Sequence, residues 1–154
     1  MKEGVRGSFV RVLIQRVRWA QVDVENQRIA RIERGILVFL AVQRGDTPAQ
    51  AQRLVQKVLG YRIFSDNEGK MNLSIQQVQG AVLVVSQFTL AADTQAGTRP
   101  SFSPAAPPEL GLELYEHFIS GLKQYSIPVE TGQFGADMQV SLQNDGPVTF
   151  LLEA

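Results

Sequence analysis

Two uninterrupted runs of apolar residues predict strands that are buried on both faces. Ile36–Val42 directly follows a glycine, and Ala81–Val85 is rich in β-branched side chains, which is typical of a strand at the centre of a sheet. The second run turns abruptly polar at Ser86–Thr89. Hydroxyl and amide groups in this position either cap the strand or line a binding site at the rim of the sheet.

Weaker apolar patterns predict further strands at both ends of the chain. Those in the opening part form a meander, whereas strict alternation marks a strand near the C-terminus, which a turn at Asn144–Pro147 separates from the closing strand. These predicted strands pass through Phe9–Val17, Ala20–Val24, Ile29–Ile32, Tyr61–Phe64, Ala136–Leu142 and Val148–Leu152.

Helical spacing of apolar residues predicts two long helices. The first starts at Thr47 and Pro48, a capping residue followed by a favourable first position, and ends at Gly60. The second opens at Pro107–Glu109, and its buried face extends to Leu122. The chain is therefore predicted to be an α/β domain, rich in strands, with both helices packed on one side of a twisted, mostly antiparallel sheet.

Length and composition narrow the class of protein. The 154 residues suit one domain, which we assign to residues 10–154, and the polar segment Met1–Phe9 is predicted to be a loose extension. Fifteen basic residues balance fifteen acidic ones, which argues against binding along a nucleic acid but permits contact with one end of an RNA. Without cysteine, or an apolar run long enough to span a membrane, we expect a soluble, cytosolic protein.

The usual catalytic residue sets are missing from the sequence. The single histidine, His117, lies in the second helix without a partner motif, and we interpret it as a surface residue. Two hypotheses remain. Thr89 is an activated nucleophile, or backbone N–H groups near Phe88 and Thr89 stabilise an oxyanion while the substrate supplies its own assisting hydroxyl. The absence of an evident base favours the second hypothesis.

Two further features lie outside the predicted helices and strands. The long loop Ala91–Pro104 carries Arg99 and Phe102 beside the polar strand end, and loops of this length are usually functional or disordered. Gly146-Pro147 is either an ordinary trans turn or a cis bond whose fixed carbonyl groups form a rigid wall. The sequence pattern does not decide between these geometries.

Several motifs together closely resemble those of the D-aminoacyl-tRNA deacylases, and the match runs from about Val10 to the end of the chain. The longest are Ser86-Gln87-Phe88-Thr89, Gly135-Ala136-Asp137-Met138-Gln139-Val140 and Asn144-Asp145-Gly146-Pro147-Val148-Thr149. Shorter matches are Gln15-Arg16-Val17, Tyr61-Arg62-Ile63-Phe64, Gly69-Lys70-Met71-Asn72-Leu73 and Arg99-Pro100-Ser101-Phe102. The chain departs from the family at its N-terminal extension and at Gln133, where arginine is common.

The resemblance implies a layered β-β-α sandwich and a homodimer with active sites at the subunit interface. The family hydrolyses the ester that joins a D-amino acid, or glycine, to the terminal ribose of tRNA, with no cofactor and no metal, and it is thought to use the ribose 2′-hydroxyl. The implied catalytic positions are Gln87, Phe88 and Thr89. The implied substrate-binding positions are Ser86, Gly146, Pro147, Met138, Arg16 and Phe134.

The resemblance also implies a stereochemical filter. A cis Gly146-Pro147 of one subunit, pinned by Arg16, would face the Ser86–Thr89 strand end of the other. Its carbonyl groups would crowd the side of the Cα on which an L side chain projects, so that D-amino acids and glycine pass. The alternative function is a non-catalytic module that binds a tRNA end or a small molecule on the same dimer.

Overall fold

The protein is described by a computed structural model, which covers residues 9–154. It contains eight strands, two α-helices and one short 3₁₀ turn. In chain order they are β1 (Arg11–Val24), β2 (Gln27–Ile32), β3 (Gly35–Ala41), α1 (Pro48–Gly60), β4 (Phe64–Ser65), β5 (Met71–Leu73), β6 (Ala81–Ser86), the 3₁₀ turn (Phe88–Ala91), α2 (Pro108–Lys123), β7 (Val129–Thr131) and β8 (Gln139–Glu153).

The main sheet is built around β1. This strand pairs antiparallel with β2, β3 and β8, and the sheet continues from β3 through β6 to β7 in parallel pairs. Strands β4 and β5 form a separate antiparallel pair. The predicted strand-rich α/β domain with a mostly antiparallel sheet is confirmed. The parallel pairs arise because α1 and α2 carry the chain back across the sheet before β6 and β7.

Several predicted element bounds are wrong because the strands continue through irregularities. The two strands predicted at Phe9–Val17 and Ala20–Val24 are one bent strand, β1, whose pairing with β8 shifts register around Val17. Similarly, β8 continues through the turn predicted at Asn144–Pro147. Sequence patterns break where a strand bends or bulges, although its hydrogen-bonded pairing resumes beyond the irregularity.

Other differences concern short segments. The strand predicted at Tyr61–Phe64 begins only at Phe64, and β7, with three residues, is too short to show an alternating pattern. The strand end predicted at Ser86–Thr89 stops at Ser86 and is followed by the 3₁₀ turn. Both helices begin within a residue of their predicted starts, and the side-chain oxygen of Gln50 accepts a 2.7 Å hydrogen bond from the Thr47 backbone N–H.

Apolar side chains fill both faces of the sheet, as expected for the layered β-β-α arrangement. On one face, β1, β3 and β6 pack against α1 and α2. On the other face, Leu37, Leu83 and Val85 pack against Met138 and against apolar residues of β8. The last part of the chain therefore covers the face that the helices leave open, and β6 is buried on both sides, as its sequence predicts.

Two predictions about the termini have different outcomes. The loose extension lies outside the described residues except for Phe9, and it stays a prediction. At the boundary of the assigned domain, Val10 is fully buried and exchanges two 3.1 Å backbone hydrogen bonds with Ala154.

Within residues 9–154, neither helix has the length and apolar character needed to cross a bilayer.

The close pairing of β3 and β6 depends on Gly35. A Cβ atom at this position would lie 1.8 Å from the carbonyl oxygen of Ala81, which is backbone and cannot rotate away. We expect Gly35→Ala to lower the free energy of unfolding by about 3 kcal/mol, measured by urea denaturation. The control is Gly60→Ala at the end of α1, where nothing lies within 4 Å and stability should rise by about 0.5 kcal/mol. Equal midpoints for the two variants would contradict this account.

Candidate active site

A cleft of about 770 Å³ opens where β6 ends. Its floor comes from Leu40 and Val85, and one wall comes from the start of α2 and the segment before it. The segment that leads into β8 and Val140 of β8 itself complete the lining. Of the predicted site residues, those that line the cleft are Ser86, Gln87, Phe88, Phe134 and Met138, whereas Thr89, which follows Phe88, does not line it. The sequence-predicted strand end is thus part of a real concave site.

The last ladder hydrogen bond of β6 fixes the end of the cleft that Ser86, Gln87 and Phe88 line. The Gln87 backbone N–H donates to the Leu40 carbonyl at 2.8 Å, and the chain then turns into the 3₁₀ helix. Within residues 9–154, the backbone N–H groups of Phe88 and Thr89 donate no hydrogen bond, as expected for the first turn of a helix. These two main-chain donors are available to a ligand.

The Thr89 side chain has no base beside it among the described residues. Its hydroxyl accepts a short hydrogen bond from the Gln87 side-chain amide, and an amide cannot take up a proton at neutral pH. His117 lies on the outer face of α2, where its imidazole is 4.0 Å from Glu113 and half-exposed. Its interpretation as a surface residue agrees with this position. Across residues 9–154, no cluster of three His, Cys, Asp or Glu residues has the geometry to hold a metal.

The apolar wall of the cleft is held by aromatic and sulfur contacts. The rings of Tyr115 and Phe134 have centroids 5.5 Å apart, and the Tyr115 hydroxyl donates to the Gly132 carbonyl at 3.4 Å. Met138 packs so closely on Gly132 that a Cβ there would lie 2.7 Å from its sulfur. Burial raises the pKa of the Tyr115 hydroxyl above its ordinary value.

Two aromatic residues frame the open side of the cleft. Phe88 is 60% exposed, and its ring centroid lies 5.3 Å from that of Phe102 in the loop after the 3₁₀ turn. The sequence analysis places Phe102 in a long loop beside the polar strand end, and this position agrees with its contact with Phe88. Sequence reasoning missed Tyr115 as a residue of the cleft, because Tyr115 fits the buried stripe of α2.

The predicted residues Arg16, Gly146 and Pro147 form a second, separate group on β1 and β8. The peptide bond between Gly146 and Pro147 is cis, as the resemblance implies, and both residues are exposed. Arg16, only 12% exposed, donates from Nε to the Asp145 carbonyl at 2.9 Å and from Nη1 to the Ile63 carbonyl at 2.7 Å. The backbone before Gly146 is therefore firmly held.

Gly146 itself has a conformation that suits glycine. Its φ is +153°, and a Cβ there would lie 2.5 Å from Cγ2 of Val148. On the far side of the bond, the Asn144 side-chain amide donates to the carbonyls of Arg16 and Val148, both at 3.0 Å. These contacts fix the direction of the exposed main chain at Gly146 and Pro147.

The two groups lie apart within one chain. Neither Gly146, Pro147 nor Arg16 lines the cleft. The strand pairings place the Gly-Pro segment level with Arg16, Ile36 and Val82, whereas Ser86 is four residues further along β6. Four residues correspond to roughly 13 Å along a strand. Although Val140 of β8 lines the cleft, Gly146 lies six residues further along the same strand, roughly 20 Å at the rise of an extended strand.

The fold is that of a strand-rich α/β domain with a partly apolar cleft beside main-chain N–H groups. A family model described as D-Tyr-tRNA(Tyr) deacylase matches residues 13–153. The chain is 59% identical over 143 residues to a D-aminoacyl-tRNA deacylase of Glaesserella parasuis serovar 5 (strain SH0165), covering 92% of this chain and 97% of that protein. It is 61% identical over 140 residues to a D-aminoacyl-tRNA deacylase of Haemophilus influenzae (strain PittEE), covering 91% and 96%.

Solved structures agree with the fold. One, described as c-Myc DNA Unwinding Element Binding Protein, superposes with a TM-score of 0.89 at 40% identity and covers 94% of this chain and 98% of its own. Another, a probable eukaryotic D-amino acid tRNA deacylase, has a TM-score of 0.81 at 19% identity, covers 96% and 100%, and supports the fold alone. The chain belongs to the D-Tyr-tRNA(Tyr) deacylase family.

Burial of the Tyr115 hydroxyl makes stability depend on alkaline pH. The unfolded state releases this proton near the ordinary tyrosine pKa, while the folded state holds it to a higher pH. The free energy of unfolding should therefore fall as the pH rises above about 10. Tyr115→Phe should reduce that fall, as measured by urea denaturation at pH 8 and pH 10.5. An unchanged pH dependence in the variant would contradict the assignment.

Proposed function

We propose that this protein hydrolyses the ester between a D-amino acid and the terminal ribose of tRNA, releasing the free amino acid and the tRNA. Family membership supports the reaction, and the observation that carries it in this chain is the available N–H group of Phe88, which lines an apolar cleft, together with that of the adjacent Thr89. Glycyl-tRNA is a second substrate under this proposal. The reaction belongs to the cytoplasm, where aminoacyl-tRNA is used in translation.

The chemical step is electrostatic. The N–H groups of Phe88 and Thr89 stabilise the negative charge that develops on the ester carbonyl oxygen as it becomes tetrahedral. Thr89 lacks a base among the described residues, which disfavours it as a nucleophile. The substrate's own 2′-hydroxyl, adjacent to the ester, assists the attacking water. Phe134 and Tyr115 provide an apolar surface on which the terminal adenine stacks.

Stereochemical selection comes from the Gly146 and Pro147 carbonyls of a second subunit. The separation of the Gly-Pro segment from the cleft within one chain supports a contribution across a two-fold axis. The outer edge of β8 also supports a homodimer. Among the described residues β8 pairs only with β1, and it exposes Phe150 and, at 52%, Leu151, a surface that monomers usually protect.

The alternative function is a non-catalytic module that binds a tRNA end or another small molecule in the same cleft. Incubation with D-tyrosyl-tRNA and L-tyrosyl-tRNA separates the two functions. The proposed enzyme clears only the D ester, whereas a binding module leaves both esters intact. Hydrolysis of both esters at equal rates would contradict the stereochemical part of the proposal.

The contribution of the Phe88 amide can be isolated with a pair of variants. Phe88→Ala removes the ring and keeps the N–H, while Phe88→Pro removes both. Proline is tolerated at the first position of a helix, and the backbone of Gln87 before it is not helical (φ −141°, ψ 77°). We expect kcat for D-tyrosyl-tRNA in the proline variant to be about 10²-fold below that of the alanine variant. Equal kcat values for the two variants would show that the Phe88 amide does not contribute to catalysis.

The role of the Thr89 hydroxyl is tested by substitution. We expect Thr89→Ala to retain activity within about 10-fold of wild type, whereas loss of a true nucleophile lowers kcat by several orders of magnitude. Single-turnover hydrolysis of D-tyrosyl-tRNA measures the chemical step directly. Complete inactivity in a variant that still folds would revive the nucleophile hypothesis.

The position of the Gly146 carbonyl should control chiral selection. Because a Cβ at Gly146 meets Val148 at 2.5 Å, Gly146→Ala must displace the carbonyl. We expect hydrolysis of L-tyrosyl-tRNA to increase by at least about 10-fold, with the D rate little changed. Gly69→Ala is the matched control, since Gly69 also has a positive φ (+79°) but lies in a turn with nothing within 4 Å. An unaltered ratio of D to L rates in Gly146→Ala would contradict the filter.

A further inference from the structure

A second cleft, of about 540 Å³, adjoins the candidate active site. It is more polar than the first and is lined by Gln43, Thr94 and Gln95 together with two arginines and an aspartate. Arg44 lines both clefts and therefore lies at their boundary. Nothing in the proposed reaction assigns a ligand to this second cleft.

Arg44 is held in place but retains hydrogen-bonding capacity. Its backbone N–H donates to the Pro104 carbonyl at 3.0 Å, and its Nε donates to the Ser103 carbonyl at 2.7 Å. Within residues 9–154 no carboxylate lies within ion-pair distance of it. The two Nη groups of the guanidinium, which match the spacing of phosphate oxygens, are left for a ligand in the clefts.

The other charged residues that line the second cleft have partners within the protein, which distinguishes them from the Nη groups of Arg44. Arg11 forms a 2.7 Å ion pair with Glu153 and donates to the Leu90 carbonyl at 3.3 Å, so its charge is compensated. Asp93 is the only carboxylate among the described residues lining this cleft, and its Oδ1 accepts from the Gln95 backbone N–H at 3.0 Å. Asp46 lies nearby in the chain but is buried and lines neither cleft.

We infer that Arg44 binds the phosphodiester between the last two nucleotides of the substrate tRNA, and that the second cleft holds the penultimate nucleotide. This inference rests on the proposed function. The ester and the 5′-phosphate of the terminal adenosine are attached to the same ribose. An RNA strand whose ester lies at Phe88 must therefore leave the first cleft along one of its borders. Arg44 is the cation at the border that leads into a second, nucleotide-sized cleft.

The experiment compares two substrates that differ by the RNA chain. D-tyrosyl-tRNA has the phosphodiester, whereas the 3′-O-D-tyrosyl ester of adenosine has the same ester and base without it. We expect Arg44→Gln to raise KM for D-tyrosyl-tRNA by about 10-fold, with kcat unchanged. The kinetic constants for the adenosine ester should stay at wild-type values. Arg44→Lys should recover part of the loss because it restores charge but not the planar fork.

Salt dependence and charge variants make the readout specific. For the tRNA substrate, the slope of log KM against log salt concentration should be about 0.7 smaller in Arg44→Gln than in wild type. This difference is the value for one phosphate contact of a single strand. Asp93→Asn, which keeps the acceptor for Gln95, should lower KM for the tRNA alone. Arg53→Gln is the matched control, since Arg53 is an exposed arginine on α1 that lines neither cleft.

Three outcomes would overturn the inference while wild type remains active. These are an unchanged KM for the tRNA in Arg44→Gln, an equal loss on both substrates, or an unchanged salt slope. The equal loss would mean that Arg44 supports the walls of the first cleft instead of an RNA phosphate. A wild-type protein that hydrolyses neither ester would refute the proposed function, and this inference with it.

Discussion

The hydrogen bond from the Gln87 N–H to the Leu40 carbonyl is the contact on which the rest of the site depends. It is the last main-chain link between β6 and β3, and both strands are fixed by apolar packing on their two faces. Because the chain turns immediately after it, the next two N–H groups emerge together at a rigid edge. A stable core therefore sets the direction of two donors that would be poorly defined in a flexible loop.

The second structural constraint is the separation, within one chain, of the cleft at the end of β6 from the Gly-Pro segment of β8. A single sheet carries the N–H donors just beyond β6 and the Gly-Pro segment in β8, and Gly146 and Pro147 do not line the cleft although the first part of β8 reaches it. A two-fold axis beside β8 would reconcile this separation with one shared site. It would also cover Phe150 and Leu151, so that assembly of the dimer and completion of the proposed site become the same event.

Local chemistry explains which features the sequence could predict. The buried run at Ala81–Val85 and the capped start of α1 depend on neighbouring residues, and both are where the pattern predicts them. The continuity of β1 and β8 through their irregularities depends on pairing between residues more than a hundred positions apart. The roles of Tyr115 and Arg44 at the clefts depend on the loop 91–105 and the Phe134 segment, which no local pattern could bring near them.

The shared site is tested most directly by mixing subunits of two variants, Gly146→Ala and Phe88→Pro, under conditions of full exchange. With Phe88→Pro in excess, every Gly146→Ala subunit pairs with a partner that has an intact Gly-Pro segment but an impaired cleft. If the carbonyls act across the interface, hydrolysis of L-tyrosyl-tRNA gained by Gly146→Ala disappears on mixing while hydrolysis of D-tyrosyl-tRNA persists. A ratio of L to D hydrolysis that stays the same at every mixing ratio would show that each chain filters its own substrate, contradicting the shared site.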